Sequence, residues 1–362
     1  HIWRQVKDKF YDPKIHGVDW EGYRKTYEKF LPYINNNFDF QEMLSEMLGE
    51  LNASHTGARY YASNSALTTA NLGVFFDPQY QGDGLKIQEI IKRGPFDVKN
   101  TGVTAGCIIE SIDGEEIKAG MDYFPLLDGK VGKNVRLGIR NAKGKKMEVT
   151  VKAISQGKLN NLLYKRWIDR NRAFVDSISG GRIAYVHVKA MDSESFRTVY
   201  SELLSDKNRN RDAVIVDERH NGGGWLHDDL CTLLSGKQYQ EFVPHGKVVG
   251  KDPFNKWTKP SCVLICEDDY SNGHGFPWVY KELGIGKLIG APVAGTMTAV
   301  WWETLMDRSL VFGIPQVGCR DMRGTFGENT TLQPDIEVYN SPEEYITGHD
   351  TQLNRAVEEM MK

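Results

Sequence analysis

The chain has 362 residues, a formal net charge of −3 at neutral pH and 40% hydrophobic residues. Lysine and arginine are spread along the chain instead of being gathered into runs, which argues against a nucleic-acid partner held through phosphate contacts. No apolar stretch reaches the roughly 18 residues that a membrane span needs, and at about 150 residues per domain the length indicates two or three domains.

Residues 1–62 have the spacing of amphipathic helices. Asp39, with Glu42 three residues later, forms a capping-box pattern. Apolar side chains then recur at helical intervals at Phe40, Met43, Leu44, Met47, Leu48 and Leu51. Asp19, ahead of a series of aromatic residues, predicts an earlier helix of the same kind. The helical pattern ends at a polar, turn-like segment, residues 52–57.

Residues 66–156 change to short β-rich runs separated by glycine, aspartate and asparagine. These runs predict strands at 73–76, 85–90, 107–112, 135–139 and 147–151. The last two flank residues 141–145, whose composition is typical of a hairpin turn. We therefore expect a small β-dominated domain here.

Residues 157–362 predict an α/β fold. Continuous apolar runs, typical of strands buried on both faces of a sheet, occur at 183–188, 213–216, 262–266 and 310–314. Helical stretches follow these runs at 193–204, 226–234, 276–283 and 351–362. This alternation indicates crossover helices around a sheet.

The five cysteines indicate neither a disulfide framework nor a zinc site, because the chain has no CxxC pair and no HExxH motif. Cys262 and Cys266, four residues apart on a predicted strand, are expected to be small buried hydrophobes. We expect no metal and no cofactor. The chain starts at His1 without methionine or an apolar leader, which suggests a processed or trimmed piece. The sequence does not decide between a cytoplasmic and an exported location.

Three consecutive glycines, Gly222, Gly223 and Gly224, follow a predicted buried strand and precede a helix. Glycine lets the backbone approach another group closely, and the N–H groups of such a loop can bind an anion. An oxyanion hole needs such a loop, whereas a phosphate loop is disfavoured because no Gly-Lys-Ser/Thr follows. A tight strand–helix turn without catalytic function explains the spacing equally well.

Ser271 follows another predicted buried strand, at the carboxyl edge where α/β sheets usually collect their sites. The N–H of Asn272 would lie beside its hydroxyl and help to hold an oxyanion. The segment is not the GxSxG elbow of α/β-hydrolases. A simple helix cap is the commoner role for a serine in this place.

Ser54 and His55 end the first helical region, and Glu328 lies in a late loop. A neutral imidazole can take a hydroxyl proton because its pKa is near neutrality. An isolated histidine is more often structural, and a lone loop glutamate is usually solvated. On the residue patterns alone, the chain is an α/β protein with a candidate Ser/His site.

Four motifs jointly resemble the C-terminal half of tricorn proteases and, more distantly, the PDZ-containing C-terminal-processing peptidases. They lie at 49–57, 217–224, 270–274 and 327–329, the last followed by Pro334-Asp335. The resemblance covers nearly the whole chain. It implies a mixed, multi-domain α/β fold with an N-terminal helical region (1–62), a PDZ-like β insert (66–156) and a crotonase/ClpP-like α/β catalytic core (157–362).

The resemblance also implies a serine peptidase that hydrolyses oligopeptides or unfolded polypeptides through an acyl-enzyme. Ser271 would attack the peptide carbonyl, and His55 would act as general base and then as general acid. Glu328 would orient His55 through the hydroxyl of Ser54, which forms a tetrad.

The same resemblance assigns the oxyanion hole to the backbone N–H groups of Asn272 and of Gly223 or Gly222. In tricorn proteases an acidic residue follows the nucleophile, whereas Asn272 follows it here, so the backbone donor is kept but the local charge differs. Tricorn proteases carry β-propeller domains ahead of this core and form a large ring. A homo-oligomer is therefore compatible with the resemblance.

The insert resembles a PDZ domain whose loop, with Leu72, Gly73 and Val74, would receive a peptide C-terminal carboxylate. PDZ domains add a peptide strand to an exposed sheet edge. An insert with a purely structural role is the competing interpretation. For the whole chain, the alternatives are a PDZ-type peptide-binding scaffold with an inactive or incomplete hydrolase core, and a crotonase-like enzyme acting on a thioester.

Overall fold

The computed structural model describes residues 1–62, 67–98 and 101–362. The chain divides into two compact units, one made of His1–Ser63 with Asn171–Lys362 and the other of Asn64–Arg170. The N-terminal helical region, which the sequence analysis separates from the α/β core, shares a unit with that core. The predicted boundary between the helical region and the insert falls on residues 63–66, outside the described residues.

The helices, in chain order, are α1 (Ile2–Lys9), α2 (Trp20–Glu28), α3 (Asn37–Gly49), α4 (Gln156–Ile178), α5 (Ser193–Leu203), α6 (Asp206–Arg209), α7 (His227–Leu234), α8 (Asn272–Glu282), α9 (Pro342–Thr347) and α10 (Thr351–Met360). The first strands are β1 (Ala58–Tyr60), β2 (Val74–Phe76), β3 (Leu85–Ile90), β4 (Ile108–Ile112), β5 (Glu115–Glu116), β6 (Asn134–Arg140), β7 (Lys146–Lys152) and β8 (Ile183–His187). The later strands are β9 (Ala213–Asp217), β10 (Gln240–Phe242), β11 (Gly250–Asp252), β12 (Ser261–Ile265), β13 (Lys287–Gly290), β14 (Thr298–Thr304), β15 (Leu310–Gly318) and β16 (Ile336–Glu337). Within these residues, no helix is both long enough and apolar enough to cross a membrane.

The helical region begins as the sequence predicts, with one correction at α3. Asp19 caps α2 by accepting a hydrogen bond from the Gly22 N–H at 2.9 Å. The predicted cap of α3 at Asp39 is wrong, because Asn36 Oδ1 accepts the Asp39 N–H at 2.9 Å and the helix starts at Asn37. Asp39 lies instead in the first turn, where its charge suits the helix dipole.

A parallel sheet of five strands, in the order β16-β13-β12-β9-β8, forms the centre of the first unit. Every residue of β8, β9 and β12 is buried, which explains why these strands read as continuous apolar runs. Helices α5, α7 and α8 supply one packed core with these strands. The glycine loop leaves the end of β9, and the Ser271 segment leaves the end of the adjacent β12.

The run at 310–314 belongs to a different sheet. It lies in β15, which pairs antiparallel with β1 and β14. Phe312 and Ile314 of β15 pack in one core with buried residues of α1 and α3, including Val6 and Leu48. The small sheet therefore joins the opening helices to the α/β core, and β1 follows directly after the turn that carries His55.

The second unit contains the predicted β-dominated domain. Its strands follow the order β2-β3-β4-β6-β7, with β5 paired to β4. All five predicted strands are present within one or two residues of their expected bounds. The predicted hairpin joins β6 and β7, where the Asn141 N–H donates to the Lys145 carbonyl at 2.9 Å.

Candidate active site

The structure brings His55 and Ser271 to one cavity of about 530 Å³. His55 lies in the turn between α3 and β1, and its backbone N–H donates to the Tyr270 hydroxyl at 2.7 Å. The rings of His55 and Tyr270 also contact each other, with centroids 4.8 Å apart. Because Tyr270 immediately precedes Ser271, these contacts tie the histidine turn to the segment that carries the serine.

Ser54 connects His55 to Glu328. The Ser54 Oγ lies 2.7 Å from His55 Nδ1 and 2.9 Å from Glu328 Oε2, and the Ser54 N–H donates to the other carboxylate oxygen. A hydroxyl has one proton, so a Ser54 that donates to an ionised Glu328 must accept from Nδ1–H of the imidazole. This assignment leaves Nε2 of His55 without a proton, in the state that a general base requires.

Thr298 is a further member of this group that the sequence analysis missed. It begins β14, is 5% exposed, and places its Oγ1 3.1 Å from both Ser54 Oγ and His55 Nδ1. A threonine in a strand carries no sequence signal for such a role. Its hydroxyl supplies a second polar contact that fixes the orientation of the imidazole.

Ser271 does not act as a helix cap. It precedes α8, but its side chain makes no capping hydrogen bond, and its backbone has φ 58° and ψ −118°. Residues other than glycine rarely adopt such a conformation. Where they do, the conformation is typical of sites that must present a side chain in a fixed direction. The Ser271 N–H donates to Thr296 Oγ1 at 2.8 Å, which helps to hold this turn.

The Ser271 hydroxyl makes no hydrogen bond to the His55 ring or to any other group of the described residues. The contact that the sequence analysis expects between Ser271 and His55 is therefore not made in this structure. Such contacts often tighten only when substrate fills the site.

The glycine loop packs directly on Ser271. A Cβ at Gly223, whose φ is +95°, would lie 2.6 Å from Ser271 Cβ and 3.0 Å from the Asn272 nitrogen. Only glycine allows this approach. The Gly223 N–H, however, donates to Asn221 Oδ1 at 2.8 Å, so in this conformation it is engaged within the loop. The N–H groups of Gly222 and Asn272 donate to no protein acceptor among the described residues.

The Asn272 side chain contacts the start of α7. Its Oδ1 accepts the N–H groups of Leu226 and His227, at 2.8 and 3.0 Å, at the start of α7. Its Nδ2 lies 2.8 Å from His227 Nδ1. A carboxylate could accept the same two N–H groups, but only an amide can also donate to the ring.

Burial sets the protonation of the catalytic candidates. Burial lowers the pKa of His55 from 6.5 to about 4, so the imidazole is neutral at neutral pH. Burial also raises the pKa of Glu328, against the lowering effect of its two hydrogen bonds from Ser54. The resulting neutral imidazole and polar relay suit proton transfer from a serine hydroxyl.

A buried ion pair anchors the end of β9, from which the glycine loop departs. Arg219, 1% exposed, donates to the two oxygens of Asp217 at 2.9 and 2.7 Å and to the Asp350 carboxylate at 3.0 Å. Buried charges are tolerated when each is paired in good geometry. The network links α10 to the strand end and fixes the backbone ahead of the glycines.

A second cavity, of about 390 Å³, shares the walls Met297 and Cys319 with the first. His274, one helical turn after Ser271, lines it and is 1% exposed. Neither ring nitrogen of His274 has a hydrogen-bond partner among the described residues. Burial lowers the pKa of this histidine to about 4, so it presents a neutral ring to the cavity.

In the second unit, the predicted carboxylate-binding loop precedes the edge strand β2. Leu72 and Val74 are buried, and the Gly73 N–H donates to Asn71 Oδ1 at 2.8 Å. Because β2 pairs only with β3 among the described residues, one of its edges is open. Peptide addition at this edge remains a prediction.

Models of three protein families match consecutive regions of the chain. The tricorn protease C1 domain matches residues 1–49, the tricorn protease PDZ domain matches residues 76–156, and peptidase family S41 matches residues 182–338. The last of these regions contains Ser271 and Glu328.

Relatives match almost the whole chain in sequence. A protein of Sulfurisphaera tokodaii, named as a tricorn-like protease C-terminal subunit, is 29% identical over 99% of this chain and 42% of its own length. The tricorn protease of Thermoplasma acidophilum is 24% identical over 99% of this chain and 34% of its own length. The chain thus spans less than half the length of these relatives.

Solved structures share the fold. The crystal structure of the tricorn protease matches with a TM-score of 0.86 at 22% identity, over 99% of this chain and 36% of that chain. Mature CPAF matches with a TM-score of 0.54 at 14% identity, over 99% and 96% of the two chains. The expected mixed α/β fold, with a PDZ domain and a peptidase core, is confirmed. The chain is similar to tricorn proteases over nearly its whole length, and its residues 182–338 match peptidase family S41.

Proposed function

We propose that the chain is a serine peptidase that hydrolyses oligopeptides or unfolded polypeptides through an acyl-enzyme on Ser271. The observation that carries the proposal is the chain of contacts from Glu328 through Ser54 to His55, at a cavity that also exposes Ser271. A degenerate core that merely supported a peptide-binding domain would have no need of this relay. The scaffold alternative is therefore not favoured.

In the acylation step, the Ser271 oxygen attacks the peptide carbonyl while Nε2 of His55 takes its proton. The imidazolium then gives this proton to the leaving amine, and the C–N bond breaks. Glu328 stabilises the imidazolium through the Ser54 hydroxyl, which accepts from Nδ1–H throughout. Water completes the cycle by attacking the acyl-enzyme with the same histidine as base.

For the oxyanion, the hydrogen-bond pattern favours the N–H groups of Asn272 and Gly222. Neither donates to an acceptor in the described part of the chain, whereas the Gly223 N–H is engaged by Asn221. Gly223 serves instead by allowing its backbone to approach Ser271. Loss of a single oxyanion donor typically costs about 2.7–4 kcal/mol of transition-state stabilisation.

The pH dependence of kcat/KM tests the role of His55. The free-enzyme base must be unprotonated, and burial places the pKa of His55 at about 4. Activity should therefore persist as pH falls through 6.5, the ordinary histidine pKa, and decline only as pH approaches about 4. We expect this profile with a short fluorogenic peptide and with labelling of Ser271 by a fluorophosphonate.

Acid unfolding has to be separated from titration of the base, because burial also lowers the pKa of His187 and His274 to about 4. Tryptophan fluorescence at each pH reports whether the fold is intact. An acid limb near 6.5 in folded protein would contradict the assignment of buried His55 as the base.

A further inference from the structure

His220, Cys266 and Asp268 converge in the first unit, outside the catalytic group. His220 lies just after β9 and the other two just after β12, at the same edge of the parallel sheet. His220 Nδ1 is 3.0 Å from Asp268 Oδ1, and Cys266 Sγ is 2.8 Å from the same oxygen. Cys266 Sγ and His220 Nδ1 are 3.8 Å apart.

These three side chains offer an imidazole nitrogen, a sulfur and a carboxylate oxygen, which is a ligand set that zinc prefers. Ordinary zinc–ligand distances in a tetrahedral site separate the ligand atoms by roughly 3.3–3.6 Å. The observed separations of 2.8–3.8 Å bracket this range. Each of the three side chains places a ligand atom within 4.8 Å of the other two, a spacing compatible with a common ion.

The surroundings also suit an ion that enters from solvent. Cys266 is 1% exposed, whereas His220 and Asp268 are exposed, so the sulfur forms the inner end of an open site. The backbone N–H of His220 donates to Cys266 Sγ at 3.1 Å, which helps to orient the sulfur towards the His220 ring and the Asp268 carboxylate. Cys266 therefore has polar contacts that the sequence analysis, which treated it as a buried hydrophobe, did not predict.

We propose that His220, Cys266 and Asp268 bind a thiophilic divalent cation such as Zn²⁺, with water in the fourth position. On binding, the Cys266 thiol loses its proton to solvent, and the thiolate–metal bond replaces the thiol–carboxylate hydrogen bond. The ion would join two segments that lead to the proposed catalytic groups, since His220 is two residues before Gly222 and Asp268 is three before Ser271. The site itself does not depend on the proposed peptidase activity.

Titration of the reduced, metal-free protein with Co²⁺ tests the site by absorption spectroscopy. We expect one equivalent of Co²⁺ to produce a thiolate-to-metal charge-transfer band, and Zn²⁺ to displace it. The band should be lost in Cys266→Ala and kept in Cys262→Ala, the matched control four residues earlier, within β12. No band in the wild type, or a band that survives in Cys266→Ala, would overturn the proposal.

Variants of the exposed ligands keep the test valid if Cys266→Ala does not fold. His220→Asn and Asp268→Asn each remove one ligand while leaving the buried thiol in place. Loss of an outer-shell partner already costs roughly 10–100-fold in metal affinity, so each variant should lose at least that much. Unchanged Co²⁺ affinity in both variants would exclude this ligand set.

Discussion

Replacement of Ser271 by alanine is expected to abolish peptide hydrolysis, with a loss in kcat on the order of 10⁶-fold, as in subtilisin when its catalytic serine is removed. The change deletes the proposed nucleophilic oxygen and nothing else. The Ser271 hydroxyl makes no hydrogen bond among the described residues, and its backbone turn is held by the Ser271 N–H to Thr296. The fold should therefore be retained.

The measurement is hydrolysis of an unfolded protein and of a fluorogenic peptide, with circular dichroism to verify folding. Ser201→Ala, on an exposed face of α5, is the matched control and should keep full activity. Wild-type hydrolysis by folded Ser271→Ala would show that another group is the nucleophile.

Substitution of Gly223 by alanine should impair the site without removing any catalytic atom. The new Cβ would lie 2.6 Å from Ser271 Cβ and 2.8 Å from the Tyr270 carbonyl oxygen, contacts far inside van der Waals separation. Relief of this overlap requires the loop or the serine turn to move. Because a displacement of about 1 Å can cost roughly 10²-fold in rate, we expect kcat/KM to fall by at least that factor.

Gly284→Ala separates the steric effect from backbone strain. Gly284 also has a positive φ, +61°, but an added Cβ meets nothing within 4 Å. A left-handed alanine costs roughly 1–2 kcal/mol at either position, and overpacking adds about 1–3 kcal/mol at Gly223 alone. Near-wild-type activity of Gly223→Ala, together with unchanged labelling of Ser271, would refute close packing of the loop on the nucleophile.

Periodicity in the sequence predicts much of this fold because buried positions of a helix or strand are occupied by apolar residues at regular intervals. The runs of β8, β9 and β12 are continuous since both faces of the sheet are covered. A continuous apolar run does not identify a strand of the parallel sheet in the case of β15, whose run is equally apolar. Its burial comes from packing against α1 and α3, and no local pattern distinguishes a parallel partner from an antiparallel one.

The candidate site is predictable only in part from the residues themselves. Ser271 and His55 are 216 positions apart in the chain, and their approach depends on topology that the resemblance supplied. The contacts of Thr298 and Thr296 were missed because no sequence pattern distinguishes a threonine hydroxyl that supports a site from one that does not. The engagement of the Gly223 N–H by Asn221 is likewise a matter of side-chain geometry, which spacing cannot reveal.

The cluster of His220, Cys266 and Asp268 illustrates the same limit. Metal motifs are recognised from short, fixed spacings, whereas His220 precedes Cys266 by 46 positions. Adjacent parallel strands bring them to one sheet edge. The spacing of these residues in the sequence therefore gave no indication of a metal site. The candidate site becomes visible only when the pairing of β9 with β12 brings the three side chains together.

Acylation of Ser271 is tested by mass spectrometry of the protein quenched in acid during turnover of a peptide ester. We expect an acyl group on the proteolytic fragment that contains Ser271, at close to one equivalent when deacylation is slow. The His55→Ala variant should accumulate this adduct far more slowly. An acyl group on a different residue, or hydrolysis that proceeds with no covalent adduct at Ser271, would contradict the proposal that Ser271 is the nucleophile.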